Sequence, residues 1–397
     1  MRMPNRKNIA IITQTLDTGG AERMAANMSV ELSKYYNVYL FVFDSNQVEY
    51  AYGGTLVQYK GKYRRLNPLS ILSRLAETHR LKKKYNIDCS ISHQDRPNLF
   101  NALSGGKAKI VCCLHTSPTS VFKHSSGRAL LQKLACRLSY KYLGVSKVAA
   151  LDLVEKFSYP DKKVDYIYNF VDIDFIREQS ILPLVDAKAI SFFERHAYNI
   201  ISVGRFLKTK GHQHLLRALK LLRSQGIDCG VMILGQGDTK PAIENLVAEL
   251  GLGIHVYMPG QVINPYQYIK KATAFVLASD YEGLPMVLIE AAACGCPLIS
   301  TDIITGPREI LAPHSDFRHI TDKVEDAEYG VLTPKCNDNS MTRLEADDRE
   351  IQLADAIKQM IVDERYRLQY ITKAGECAEK FCAQAIVPEW KKIIDGG

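Results

Sequence analysis

The chain alternates between short apolar runs and longer stretches with apolar residues at helical spacing. Five runs rich in Ile, Val and aromatic residues fall in the first half, at 8–13, 38–43, 87–92, 110–115 and 142–146. Continuous apolar runs of this length are typical of strands buried on both faces. Met24, Met28 and Leu32 recur at helical spacing between the first two runs. This repetition of strand, helix and strand predicts a parallel sheet with helices on both faces.

A second series of the same kind begins near residue 199. Its apolar runs lie at 199–204, 230–235, 254–260, 273–279 and 296–301, and an amphipathic helix with a glycine stop covers 214–226. The stretch 176–198 has no clear strand and is interpreted as a linker. The fold class is therefore α/β, with two doubly wound, Rossmann-like domains at 1–175 and 199–378 and a helical tail at 379–397. Two such domains leave a cleft, with ligand sites at the carboxyl ends of their strands.

Composition excludes several classes of protein and suggests an anionic partner. The 397 residues are 46% hydrophobic and 24% charged, which is ordinary for globular domains and excludes disordered, collagen-like and small disulfide-rich chains. Residues 1–175 hold 26 Lys and Arg against 14 Asp and Glu, whereas the remainder is slightly acidic. The basic half favours nucleic acid, an anionic membrane face or a phosphorylated substrate as partner.

The cysteines and the amino terminus indicate a cytoplasmic protein. None of the ten cysteines forms a CxxC pair, so zinc-ribbon and thioredoxin-like sites are not predicted, and buried free thiols in a reducing compartment are expected. The apolar run 9–12 is too short for a secretory signal. No apolar stretch reaches the ~18 residues that a membrane-spanning helix needs.

Two strand ends in the first half carry candidate binding residues. Gly19 and Gly20 lie between the first predicted strand and its helix, where glycines let a phosphate approach the helix N-terminus. The alternative is a tight turn that only needs a positive φ. His115 follows the run 110–115 at a strand end that suits a cleft, although a single histidine is more often structural.

In the second half, two loops at strand ends carry candidate residues. GRFLKTKG follows the first strand, and a loop that leads into an apolar helix follows the run 273–279. Arg205 offers a planar fork of donors and Lys210 a point charge, and together they suit a diphosphate; the alternative is a solvated loop. The nearby GQGD lacks the third glycine of a dinucleotide fingerprint, so NAD is not predicted.

Glu282 lies in the loop before a helix that Pro285 opens, and Glu290 lies within that helix among apolar neighbours. The alternative for Glu290 is an ordinary surface glutamate, but a glutamate in so apolar a helix needs a partner or a ligand.

The order of these motifs resembles the family 4 retaining glycosyltransferases, which have the GT-B fold. The resemblance rests on the Glu-x7-Glu spacing within EGLPMVLIE, on GRFLKTKG at 204–211, on GGAER at 19–23 and on NFVD at 169–172. The string TDIITGPREIL at 301–311 looks like members that use UDP-galactose, UDP-N-acetylgalactosamine or UDP-N-acetylglucosamine. The polar stretch 314–346 is longer than the usual connection and departs from the family.

The resemblance implies a role for each candidate residue. Arg205 and Lys210 would bind the donor diphosphate, and Glu290 the ribose hydroxyls. His115 would lie beside the reacting carbon and Glu282 would contact the transferred sugar. Further diphosphate contacts would come from the backbone at Gly283, Leu284, Pro285, Met286, Gly19 and Gly20. The last helix would cross back onto the first domain.

The expected reaction is retaining transfer of a hexose or N-acetylhexosamine from a UDP-sugar to a lipid-linked, lipopolysaccharide or polysaccharide acceptor. No cofactor is expected, because Asp172-x-Asp174 is interpreted as a helix cap rather than as the metal motif of other glycosyltransferases. A UDP-sugar epimerase or hydrolase on the same architecture stays a rival. A nucleic-acid-binding protein is a weaker one, because basic charge alone supports it.

Attachment to the inner face of the cytoplasmic membrane is expected from the basic first half. Its charges concentrate at 60–65, 80–84 and 123–147. The segment 127–144 is interpreted as an amphipathic helix with Leu130, Leu131, Leu134 and Leu138 near one face and basic residues elsewhere. The alternative is an ordinary helix whose leucines face the core.

Overall fold

The computed structural model describes residues 6–17, 19–44, 50–59, 68–122, 126–337 and 340–396. The chain divides into two compact units. The first comprises Met1–Val171 together with Ala383–Gly397, and the second comprises Asp172–Cys382.

The first unit is built on a seven-stranded sheet in which all paired strands are parallel. Its strands are β1 (Asn8–Thr13), β2 (Asn37–Val42), β3 (Thr55–Gln58), β4 (Cys89–His93), β5 (Lys109–Leu114), β6 (Lys141–Gly144) and β7 (Val164–Tyr166). The order across the sheet is β3-β2-β1-β4-β5-β6-β7. The strand order therefore reverses between β1 and β4, the kind of position where open parallel sheets bind ligands.

Helices cover both faces of this sheet. They are α1 (Gly20–Ser33), α2 (Pro68–Lys84), α3 (Asp95–Leu103), α4 (Pro118–Phe122), α5 (Ser126–Leu138) and α6 (Lys147–Glu155). One core joins α1 to the sheet and includes Val387 and Trp390 from the carboxyl-terminal end of the chain. Two further cores lie around Phe41 and around Tyr142. Burial on both faces explains why the strand sequences are continuously apolar.

The second unit repeats the architecture with a different sequence. Its strands are β8 (Tyr198–Val203), β9 (Cys229–Leu234), β10 (Val256–Gly260), β11 (Ala274–Leu277), β12 (Leu298–Asp302), β13 (Glu325–Asp326) and β14 (Val331–Pro334). They are ordered β10-β9-β8-β11-β12-β14-β13, and only the edge pair β13–β14 is antiparallel. The strand order reverses between β8 and β11.

The helices of this unit surround one large core. They are α7 (Ile173–Ser180), α8 (Ala187–Arg195), α9 (His212–Ser224), α10 (Lys240–Glu249), α11 (Tyr266–Lys271), α12 (Met286–Ala293), α13 (Pro307–Leu311), α14 (Asp348–Val362) and α15 (Glu364–Glu379). The last helix, α16 (Ala383–Asp395), belongs to the first unit. The stretch interpreted as a linker, 176–198, lies within the second unit, where it includes most of α7 and all of α8.

One sequence interpretation differs from the structure, and one stretch that the sequence left open is now described. The helix expected over 127–144 ends at Leu138, and Lys141 already opens β6. The polar stretch 314–346 contains strands β13 and β14, and its end is held by Arg217. This arginine is fully buried, and its Nη1 lies 2.7 Å from Glu350 Oε1, while its Nε donates to the Arg343 carbonyl. The polar sequence therefore completes the sheet edge.

The ten cysteines are all buried and free, as expected. Among the described residues, no helix is both long enough and apolar enough to cross a bilayer.

Candidate functional site

The loop after β8 is shaped by close backbone packing. Gly211 lies at φ 66°, and a Cβ there would approach the Ala278 carbonyl oxygen to 1.8 Å. The Asp280 backbone N–H donates to the Thr209 carbonyl across a distance of 2.8 Å. The loops after β8 and β11 are therefore fastened together, and Lys210 lies at their junction.

Lys210 and Glu282 form an ion pair at this junction. Lys210 Nζ lies 2.6 Å from Glu282 Oε1, and the Ser279 hydroxyl donates to the same oxygen at 2.8 Å. Both side chains are mostly shielded from solvent, with 20% and 12% of their surfaces exposed. In such a place a cation and a carboxylate hold each other in one geometry more strongly than on an open surface. The pair thus fixes the cation predicted to meet a diphosphate.

The segment from Gly283 to Met286 leads directly into α12. The Thr305 hydroxyl donates to the Glu282 carbonyl. A Cβ at Gly306, which has φ 97°, would lie 2.4 Å from Pro285 Cδ. The loop after β12 therefore braces this turn from the other side. Helix N-termini carry unpaired N–H groups and a positive potential, which suits an anion.

Arg205 lies on the same loop as Lys210, and Glu290 lies on the helix that follows Glu282. Glu290 lies in the second turn of α12 and is 5% exposed, among neighbours that are almost all apolar. Arg205 directly follows Gly204 in the β8 loop and is exposed. The structure therefore brings Lys210 and Glu282 into contact. It places Arg205 on the loop that carries Lys210, and Glu290 on α12, which follows the loop that carries Glu282.

A buried ionic cluster anchors α9, the helix that follows the β8 loop. His214 Nδ1 and Arg217 Nη1 each lie 2.7 Å from Glu350 Oε1, and all three side chains are fully buried. Burial alone would raise the pKa of Glu350, but hydrogen bonds, with that from His214 the largest, outweigh it and lower the pKa to about 2. The cluster ties α9, which Gly211 precedes, to α14.

In the first unit, Gly19 and Gly20 differ in what a side chain would meet. Gly19 has φ 164°, an extended conformation open to any residue, so the positive-φ alternative does not apply to it. A Cβ at Gly19 would lie 2.1 Å from Glu22 Oε2, whereas none of the described atoms lies within 4 Å of a Cβ at Gly20. A Cβ at Gly19 would therefore meet the end of the flexible Glu22 side chain, and Gly20 leaves space at the start of α1.

His115 is part of a histidine pair that the sequence did not reveal. It follows β5 and is partly buried, and its Nε2 lies 2.7 Å from Nδ1 of His93, at the end of β4. Its Nδ1 lies 3.5 Å from Asn169 Nδ2. Burial lowers the pKa of His115 to about 3, and burial together with His115 lowers that of His93 well below its ordinary value. Both imidazoles are therefore neutral at physiological pH.

A signal for His93 was present in the sequence, because β4 ends in a histidine and the next strand along the chain, β5, is directly followed by one. Carboxyl ends of neighbouring parallel strands meet at one sheet edge. Next to His93, the Gln94 side-chain amide contacts Glu22 Oε1, so α1, β4 and β5 share a line of polar side chains.

Asp172 acts as the sequence predicts, since its carboxylate accepts a hydrogen bond of 3.0 Å from the Phe175 N–H and caps α7. That neither this residue nor another binds a metal stays a prediction.

Helix α5 exposes the four leucines that the sequence places near one face. Leu130, Leu131, Leu134 and Leu138 are between 41% and 69% exposed, while Ala135 and its neighbours Gln132 and Cys136 are buried against the core. The alternative in which the leucines face the core is therefore wrong.

Two family models match the chain. The model described as Glycosyltransferase Family 4 matches residues 18–175, and the one described as Glycosyl transferases group 1 matches residues 187–376. The two matches cover one unit each and together span most of the sequence.

Curated relatives match along most of their length. A Campylobacter jejuni N-acetylgalactosamine-N,N'-diacetylbacillosaminyl-diphospho-undecaprenol 4-alpha-N-acetylgalactosaminyltransferase is 28% identical over 402 residues, covering 98% of this chain and 100% of the relative. An uncharacterized glycosyltransferase of Methanocaldococcus jannaschii is 29% identical over 354 residues, covering 85% and 86%.

Solved structures share the fold. Anabaena HepE in complex with UDP superposes with a TM-score of 0.74 at 16% identity, covering 98% of this chain and 100% of that one. Sucrose-phosphate synthase from Thermosynechococcus elongatus gives 0.77 at 18% identity, covering 98% and 99%. The two Rossmann-like units, the family models and these neighbours agree: the chain belongs to the family 4 glycosyltransferases and has the GT-B fold.

Proposed function

We propose that this glycosyltransferase moves a hexose or N-acetylhexosamine from a UDP-sugar to a lipid-linked, lipopolysaccharide or polysaccharide acceptor, with retention of configuration and without a metal ion. The observation that carries the proposal is the Lys210–Glu282 pair at the start of α12, with Glu290 one turn further along the helix. This arrangement offers a cation and helix N–H groups to a diphosphate, with carboxylates for hydroxyl groups on either side.

The departing group of the reaction is a nucleoside diphosphate, which gains negative charge as the glycosidic bond breaks. Lys210 and the N–H groups before α12 would stabilise that charge, and the exposed Arg205 would add a second cation. Each charge-assisted hydrogen bond contributes about 1.5–3 kcal/mol. Two or three of them would account for several powers of ten in rate. The predicted roles of His115 and Glu282 at the transferred sugar are part of this proposal.

The donor and acceptor classes are supported by the relatives. The Anabaena HepE structure contains UDP, and the name of the Campylobacter relative includes a diphospho-undecaprenol acceptor. Other curated relatives are named for amylovoran and capsular polysaccharide biosynthesis. These names favour bacterial surface glycans as the product class.

A donor screen tests the proposal. The purified chain is incubated with each UDP-, GDP- and ADP-sugar, with and without bacterial lipid extract, and the freed nucleotide is measured. We expect UDP release from one UDP-sugar that depends on the extract and persists in EDTA. Equal release without an acceptor would indicate a hydrolase, and sugar interconversion without release an epimerase. Loss of activity in EDTA with recovery in manganese would contradict metal independence.

We also propose that the first unit binds the inner face of the cytoplasmic membrane through α5. At 3.6 residues per turn, its exposed leucines fall within an arc of about 100°. Arg137 lies next to that arc in the last turn of the helix. Exposed leucines beside basic residues suit an anionic lipid surface, where each cation adds about 1 kcal/mol.

Not every basic residue in these runs contributes positive charge to the surface of the first unit. Residues 60–65 and Lys123 lie outside the described residues. In the run 80–84, Lys82 is buried, donates to the Asn101 carbonyl at 2.8 Å and has its pKa lowered to about 8 by that burial. It therefore contributes to the core rather than to the membrane-facing charge.

Vesicle co-sedimentation tests the membrane proposal. Replacing Leu130 and Leu134 together by Ser removes two exposed apolar side chains, and we expect at least about tenfold weaker binding to anionic vesicles. Leu368 in α15 is 50% exposed in the second unit, so Leu368→Ser is the matched control. Equal binding of both variants, or equal binding to neutral and anionic vesicles, would contradict the proposal.

A further inference from the structure

The proposed function gives a role to His115 but none to His93, whose ring contacts it. His93 is fully buried and ends β4, and its strand register sets it beside Cys113 of β5. Its Nδ1 faces His115 Nε2 at 2.7 Å, with ring centroids 4.9 Å apart. Its other nitrogen, Nε2, has no hydrogen-bond partner within the described part of the chain. Among the described residues, the side-chain hydrogen bond of His93 is therefore the one with His115.

A contact of 2.7 Å between two ring nitrogens requires one proton between them. Two facing N–H groups would clash, two imidazolium rings would place like charges in contact in a buried site, and two bare nitrogens would repel. One ring therefore donates and the other accepts. With the Asn169 amide as it stands, its Nδ2 donates towards His115 Nδ1. His115 then carries its proton on Nε2 and donates it to His93 Nδ1.

This arrangement distinguishes the two nitrogens of His115. Nε2 is committed to a short bond inside the unit, whereas the contact of Nδ1 with Asn169 is 3.5 Å long, at the limit for a hydrogen bond. A hydroxyl group can replace so long a contact at little cost. Nδ1 is therefore the nitrogen that can accept a hydrogen bond from a substrate.

The backbone next to His93 is strained, which supports a functional reason for its placement. Gln94 has φ 76° and ψ 164°, a region that residues other than glycine seldom occupy. The strained residue directly follows β4, and its side-chain amide contacts Glu22. Strain of this kind costs about 1–3 kcal/mol and persists where the surroundings hold it.

We propose that His93 is a positioning residue that keeps His115 in the neutral Nε2–H form, with Nδ1 presented as an acceptor to a sugar hydroxyl. The inference rests on the proposed function only in taking His115 to meet the substrate. The tautomer itself is a property of the free protein.

Imidazole nitrogen NMR of the histidine-labelled full chain tests the tautomer directly. His115→Gln identifies the His115 signals by their loss. We expect wild-type His115 to show a protonated Nε2 and a bare Nδ1 unchanged from about pH 5.5 to 8, since its pKa is far lower. A protonated Nδ1, or titration within that range, would overturn the proposal without any His93 variant.

Two replacements of His93 test the positioning role. Asn places an acceptor oxygen where Nδ1 was, and Leu places a methyl group there. For His93→Leu we expect mixed His115 tautomers and kcat at least tenfold lower with the donor KM within twofold. For His93→Asn we expect the wild-type tautomer and kcat within threefold.

Equal losses in both variants, or a wild-type tautomer in His93→Leu, would show that His93 only packs. If the wild-type protein releases no nucleotide in any donor screen, the proposed function fails, while the NMR result still decides the tautomer. The two failures are therefore distinguishable.

Discussion

Replacing Lys210 by Met removes the charge that the structure fixes beside Glu282 and keeps most of the side-chain volume. The lost interaction with a departing diphosphate is one charge-assisted hydrogen bond, worth about 1.5–3 kcal/mol. At 1.36 kcal/mol per tenfold change, kcat/KM should fall by about 10- to 150-fold. The fold should survive, because Glu282 keeps its bond of 2.8 Å from the Ser279 hydroxyl and is not fully buried.

The assay is acceptor-dependent release of nucleotide from the sugar donor that the screen identifies. Lys208→Met is the matched control, because Lys208 lies two residues away in the same short turn (Lys208–Lys210) and is exposed. We expect the control to stay within twofold of wild type. The reasoning is refuted if Lys210→Met also stays within twofold, or if both variants lose activity equally.

Three further changes test other parts of the account. Glu290→Gln should lower kcat/KM at least about tenfold by weakening the ribose contact, with an unchanged melting temperature, and wild-type kinetics would refute the ribose role. Gly211→Ala should lower the free energy of unfolding by about 1–3 kcal/mol in urea denaturation, because it adds a clash with Ala278 to positive-φ strain. Gly226→Ala, at φ 78° with open space around its Cβ, should show the strain alone, and equal losses would contradict the clash. Since hydrogen bonding holds the pKa of Glu350 near 2 rather than 4.5, its contribution to stability is complete above about pH 4.5 and is lost as pH falls towards 2. Glu350→Gln should therefore flatten the stability loss between pH 5 and 3, and a parallel loss would contradict it.

The sequence predicted the fold where strands are buried on both faces and missed it at the sheet edges. The run 8–13 coincides with β1, because each of its residues is covered and must be apolar or hydrogen-bonded. Strands β3 and β7 are half-exposed edge strands with no continuous apolar run, so they gave no such signal. β14 is fully buried but has only four residues between polar neighbours.

The residues of the candidate site could be predicted from the sequence, but the contacts between their side chains could not. Strand ends and helix punctuation located Lys210, Glu282 and Glu290, whereas the ion pair depends on side-chain packing that no spacing specifies. His93 was overlooked because a histidine within an apolar strand resembles an ordinary core residue. The sheet order, in which β4 and β5 are neighbours, sets its ring against His115.

Helix α5 shows a further limit of pattern reading. Four leucines on one face predict burial as readily as they predict a lipid-facing stripe. The structure decides because the core is filled by the smaller Ala135 and Cys136, which leaves the leucines uncovered.

The central claim is that a sugar nucleotide binds along the loops after β8 and β11 and the start of α12. A crystal structure of the full chain with UDP tests it most directly. We predict the diphosphate within hydrogen-bond distance of Lys210 and of an N–H between Gly283 and Met286, with the ribose on Glu290. Well-defined UDP bound elsewhere, with these residues untouched, would contradict the claim.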